Sequence, residues 1–162
     1  MRVIISDLYF SYSSFFVYDT SLKAPLPCLW TDAHCQQGFA RVENHVQFGT
    51  LLEFGWAEVT ASVGVYALES KHQRVIEVPF AISSGRVTVS GGPDDKVHPP
   101  IALPPGSYRL TAAQRRVDDE HESICLNFEA LTLPLQASRV VRADAGLNPP
   151  VTLVESVEVT PI

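Results

Sequence analysis

The sequence predicts a mainly β protein, a single-domain antiparallel β-sandwich over residues 1–162 with one short helix near residues 31–37. Three observations predict it. Apolar and polar residues alternate with period two in several segments. Proline, glycine and serine clusters punctuate those segments as turns. Only one stretch carries helix start and stop signals.

In chain order, the first strands lie within Val3 to Tyr18, rich in aromatic and β-branched residues. Thr31 then stands as N-cap to Asp32-Ala33-His34-Cys35-Gln36-Gln37, and Gly38 ends that helix. Trp56 to Ala67 alternates, with Ala57, Val59, Ala61, Val63 and Val65 on one face and Glu58, Thr60 and Ser62 on the other. Arg74 to Ile82 sets Ile76, Val78, Phe80 and Ile82 against Glu77 and Pro79. Proline cannot donate to a ladder, so Pro79 marks an edge or a bulge. Ser83-Ser84-Gly85 reads as a hairpin turn into Arg86 to Ser90. Pro104-Pro105-Gly106 turns the chain into Ser107 to Ala113, with Tyr108, Leu110 and Ala112 inward. Ser123 to Leu131 places Ile124, Leu126, Phe128 and Ala130 together, and Val151 to Val159 reads as a last strand. The segments 91–100, 115–122 and 132–150 read as irregular, with a further strand at Arg139-Val140-Val141-Arg142. Seven or eight strands follow from this reading.

Hydrophobic residues make up 46% of the chain, enough for a core, and the net charge is -6. Such a surface repels phosphate backbones and suits a basic partner, so direct nucleic-acid binding is not expected. Cys28, Cys35 and Cys125 form an odd set without C-x-x-C spacing, as expected of buried or half-buried thiols in a reducing compartment. The N-terminal apolar run is too short for a signal peptide, and no stretch reaches the ~20 apolar residues of a membrane helix. A cytoplasmic protein without membrane contact is the expectation.

Catalytic motifs are missing from the sequence: there is no G-x-S-x-G, H-E-x-x-H or phosphate-cradling glycine loop. His34 and Cys35 are neighbours on the helix and project about 100° apart, so adjacency does not make them a nucleophile–base pair. Cys28, Cys35 and a histidine lack zinc-site spacing. The expectation is no enzyme, no catalytic residue, no cofactor and no metal site. Trp30 and Trp56 read as core, with a binding hot spot as the other reading. Two acidic clusters stand out in the irregular segments. They are Asp94 and Asp95, and Asp118, Asp119, Glu120 and Glu122 beside His121. These six carboxylates are the candidate partner-binding residues. They read as solvated turns, as a Ca²⁺ or lipid site in the manner of a C2-like module, or as a patch for a basic cleft. Arg115, Arg116 and Lys96 flank them. An exposed strand edge would also allow a homodimer.

Six landmarks follow one another along the chain. They are Ser11-Tyr12-x-x-Phe15-x-Val17, Trp30-Thr31-Asp32, Gly38-Phe39-Ala40, Phe48, Val78-Pro79-Phe80, and Leu103-Pro104-x-Gly106-x-Tyr108-x-Leu110. Their order and approximate spacing resemble the competence protein J (ComJ) family, which includes the inhibitor of the DNA-entry nuclease of naturally transformable bacteria. The resemblance runs to Ala113, and the chain is longer than the family pattern around 91–98 and 132–150. It implies a non-enzymatic domain that binds a nuclease with a basic cleft and inhibits it. It assigns no contact residue, so the acidic clusters remain the candidates on charge alone.

Overall fold

A computed structural model describes residues 1–160 and folds the alternating segments into two facing sheets. The elements are β1 (Arg2–Phe10), β2 (Ser14–Asp19), β3 (Cys28–Leu29), α1 (Asp32–Gln37), β4 (Phe39–Val42), β5 (His45–Gly49) and β6 (Gly55–Val63). They continue with β7 (Arg74–Ile82), β8 (Arg86–Ser90), β9 (Ile101–Ala102), β10 (Gly106–Arg116), β11 (His121–Leu131), β12 (Arg139–Arg142) and β13 (Glu158–Val159). One sheet has the order β1-β6-β11-β10-β7-β12 and the other β4-β5-β2-β8-β9, while β3 and β13 pair apart. The pairing is antiparallel except between β6 and β11, which run parallel. No helix of the described residues is long and apolar enough to cross a membrane.

The core lies between the sheets, where period two aims alternate side chains inward. From one sheet come Val59, Ile76, Val78, Leu110, Leu126 and Phe128, and from the other Phe15, Val17, Phe39, Val46, Phe48 and Val89. Phe39, Phe48 and Phe15 form a ladder across β4, β5 and β2. The Phe15 and Phe48 rings stack with centroids 5.3 Å apart. Burying each such ring contributes about 1.5–3 kcal/mol.

The expected inward sets of β7 and β10 are the buried ones. Pro79 does sit at an edge: β12 pairs only with residues 75–77 of β7. The Ala81 N–H on the same side as Pro79 bonds instead to the Glu43 carbonyl at 2.9 Å. Several expectations are corrected. The segment 83–85 is not a hairpin turn, because β7 and β8 belong to different sheets. It carries the chain across the sandwich, pinned by the buried Asp19 carboxylate. That carboxylate accepts from the Ser21 N–H and from the N–H and Oγ of both Ser83 and Ser84. The strand expected to reach Ala67 stops at Val63, leaving Val65 exposed, and Ala130 is exposed near the end of β11. The last strand shrinks to β13, while the strand expected at 139–142 is present as β12.

Helix α1 has the expected bounds. Gly38 ends it in the left-handed region at φ +86°, with its N–H on the His34 carbonyl. At its start, the Thr31 N–H donates to His34 Nδ1 at 2.9 Å, so the imidazole takes the part of a capping-box carboxylate. Its Nε2 then carries the proton and donates to the Ser156 carbonyl at 2.9 Å.

Candidate functional site

Strand polarity gathers four connections at one end of the sandwich. β1, β5, β8 and β10 run into that end, and β2, β6 and β11 run out of it. The connections are 11–13, 50–54, 91–100 and 117–120. Backbone bonds stitch them into a row. The Ser11 N–H meets the Gly91 carbonyl at 3.4 Å, and the Ser13 N–H meets the Glu53 carbonyl at 2.7 Å. The Thr50 N–H meets the Ser13 carbonyl at 2.9 Å, and the Trp56 N–H meets the Glu120 carbonyl at 2.8 Å. Gly91 lies so close to β1 that a Cβ there would stand 1.8 Å from the Tyr9 carbonyl oxygen.

Both acidic clusters lie at this end, at opposite sides of the row. Asp94, Asp118, Asp119 and Glu120 face solvent. Asp95 is turned inward instead. It accepts from the Tyr9 N–H at 3.0 Å, the Gly91 N–H at 2.9 Å and His98 Nε2 at 2.9 Å, which shapes the loop. Glu122 is buried as well, and its Oε2 accepts the Leu52 N–H at 2.7 Å while Oε1 has no partner. Burial pushes the Glu122 carboxyl up from its ordinary value, against the pull of the Leu52 and Leu51 amides. Asp118 bonds the Glu120 N–H and His121 Nδ1, both at 2.8 Å, and these hold its carboxyl low. Arg116 pairs with Asp119, but Lys96 pairs with Asp7 on β1 rather than with the loop acids.

The C2-like reading needs carboxylates from both loops to converge on one ion. β6 and β1 lie between the two clusters, and among the described residues no three His, Cys, Asp or Glu side chains gather to hold a metal. The calcium-binding alternative therefore finds no support. His121 and Asp118 border a surface depression of about 440 Å³ with Trp56 and Arg115, and both side chains are half exposed.

The tryptophans depart from the core expectation. Trp56 is 44% exposed and packs on Tyr9, with ring centroids 4.9 Å apart. Trp30 is half-buried and donates from Nε1 to Gln47 Oε1 at 2.7 Å. The phase of β6 held the signal for Trp56, which falls in step with Glu58 and Thr60 rather than with Ala57 and Val59. Two further aromatics at this end are exposed: Tyr12, which the sequence reading took only as part of a landmark, and Phe54, which it did not single out. Tyr12 is 80% exposed and Phe54 is 60% exposed, on the two connections that Ser13 and Glu53 join. Tyr12 and Ser13 take φ of +57° and +58°, left-handed values that cost an L-residue about 1–2 kcal/mol each.

Beside Tyr12 lies a cleft of about 360 Å³. Trp30, Cys35, Gln47, Leu147 and Arg74 line it, so the first three landmarks of the family resemblance meet there. Its floor is a buried ion pair. Arg74 Nε and Nη2 reach Asp144 at 2.6 and 3.1 Å, and Nη1 reaches the Gly49 carbonyl at 3.1 Å. The three cysteines are free thiols. Burial pushes Cys28 up to about 11, whereas Cys35 is exposed, contrary to the expectation of a half-buried thiol. His34 spends both ring nitrogens on the scaffold and none on Cys35.

Comparison with known proteins gives a family match and a fold match. The family model described as Competence protein J (ComJ) matches residues 7–131. The crystal structure of ComJ from Bacillus subtilis, an inhibitor of the DNA-degrading activity of NucA, superposes with a TM-score of 0.70 at 18% identity. That match covers 81% of this chain and 99% of the Bacillus chain. A structure titled Crocagin biosynthetic gene J gives a TM-score of 0.47 at 12% identity, over 78% of this chain and 97% of the other. No curated protein matches the sequence.

Proposed function

The chain belongs to the competence protein J (ComJ) family, and from that premise we propose that it is a nuclease inhibitor that works by binding protein and performs no chemistry of its own. The observation that carries this reading is the family match over residues 7–131, which spans all four connections and both sheets apart from β12 and the start of β1. The ComJ of Bacillus subtilis, which shares the fold, inhibits the DNA-degrading activity of NucA.

The partner in this reading is a nuclease with a basic cleft. Asp94, Asp118, Asp119 and Glu120 supply the charge that attracts it, since complementary fields raise association rates and select partners. Asp95 and Glu122 serve the same surface indirectly, by fixing the two loops from inside. Free thiols fit action in a reducing cytoplasm.

The test is a nuclease assay with purified protein, using NucA from Bacillus subtilis and any nuclease encoded beside this chain's gene. The expected result is a stable complex and a reduced rate of DNA degradation that returns as salt is raised. An unchanged rate, with no complex by size-exclusion chromatography, would exclude the inhibitor reading.

A further inference from the structure

We propose that Tyr12 and Phe54 are the anchors by which this chain enters the DNA-binding cleft of its nuclease, with the acidic turns as the rim. The inference rests on the inhibitor reading and names the surface that reading leaves open.

Backbone strain is the first support. Tyr12 and Ser13 hold consecutive left-handed conformations, a pattern that Asn-Gly adopts at ease and a tyrosine does not. The surrounding chain enforces it through backbone bonds from Ser11 to Gly91, from Ser13 to Glu53 and from Thr50 to Ser13. Strain held in this way marks functional positions. Burial offers no compensation, because the ring it presents is 80% exposed. Phe54, on the adjoining connection, is 60% exposed and has no polar atom to satisfy in water. Two rings with open faces at the middle of the loop row match the anatomy of a binding hot spot: aromatic anchors at the centre, charged residues around them.

Charge decides the occupant. The segments 11–13 and 50–54 contain no lysine or arginine, and they contribute Glu53. Glu53, Asp94 and Glu120 make no ion pair among the described residues, so the field of the row stays negative. Projecting rings and free carboxylates together offer what single-stranded DNA offers a protein groove, namely planar faces to stack on and anionic groups to pair. A concave, basic, nucleic-acid-binding cleft fits that combination. A flat acidic or apolar partner does not.

The experiment compares wild type with Tyr12→Gly, with Tyr12→Gly/Phe54→Ser, and with Leu133→Ser, a control at an exposed residue beyond the opposite end of β11. Binding to NucA and to a nuclease encoded beside this gene is measured by calorimetry, together with steady-state kinetics on DNA. Glycine relaxes the left-handed position, so Tyr12→Gly is expected to melt no lower than wild type while binding more weakly. The double variant is expected to lose about thirty-fold or more in Kd, with Leu133→Ser unchanged. Wild-type inhibition is expected to raise the apparent KM for DNA at constant kcat. Undiminished binding by a folded Tyr12→Gly/Phe54→Ser protein overturns the anchor assignment and leaves the inhibitor reading standing. A fall in kcat at constant KM overturns cleft entry. A wild type that neither binds nor inhibits removes the inhibitor reading and this proposal with it.

Discussion

Glu122 and Asp19 are both buried carboxylates, and their surroundings push them in opposite directions. Burial raises Glu122, whose Oε1 has no partner because the Gln114 Nε2 donor is spent on the Gly49 carbonyl, and the buried Gln114 Oε1 has no donor either. A raised folded value means that this group's stabilisation is complete below the ordinary value of 4.5 and is lost as pH rises through the folded value. Glu122→Gln should keep the acceptor for Leu52 and add a donor for Gln114. It is expected to exceed wild type by about 1 kcal/mol at pH 8, with the gap closing toward pH 4, in urea melts at both values. For Asp19, burial alone would raise the carboxyl, but donors from Ser21 and Ser84 outweigh it and hold it far below its ordinary 3.8. Its stabilisation is therefore present above pH 3.8 and is lost as pH falls through the lower folded value. Asp19→Asn is expected to cost about 2–3 kcal/mol at pH 7, with the difference shrinking in acid. Neither role was legible in the sequence, because the donors come from far along the chain. Asp95 makes the same point: it reads as a solvated turn residue, yet it bonds an N–H 86 positions away. Trp56, by contrast, was legible in the phase of its own strand.

Elements whose signals are local came out of the sequence intact. Helix α1 starts and stops where Thr31 and Gly38 place it, because a cap acts within one turn. Gly38→Ala forces an L-residue to φ +86° and brings a Cβ within 3.0 Å of Leu147 Cδ2 and 3.2 Å of Ile76 Cδ1. It is expected to lower stability by about 1–2 kcal/mol, read from the shift in thermal midpoint. Strand β7 was equally legible, down to the edge position of Pro79. The crossing at 83–85 was not, because Ser-Ser-Gly turns a chain equally well into a hairpin or into another sheet. What decides is Asp19 on a distant strand. The parallel pairing of β6 and β11 is hidden for a similar reason, since alternation fixes which face is buried but not which neighbour is paired.

At the scale of the whole molecule, the sandwich works as a frame that delivers four connections to one end. The sequence showed the two acidic clusters and left their arrangement open. The fold puts them on either side of Tyr12 and Phe54, and the left-handed turn at Tyr12 and Ser13 carries no glycine or asparagine to announce it. The proposed inhibitor face is therefore a property of strand polarity and not of any one motif. Amide hydrogen exchange on the full chain, with and without saturating nuclease, tests this directly. Exchange is expected to slow at residues 11–14, 50–56 and 117–121, while the opposite end at 83–85 and 103–106 keeps its free-state rates. Protection confined to that opposite end, or no change anywhere in the chain, would contradict it.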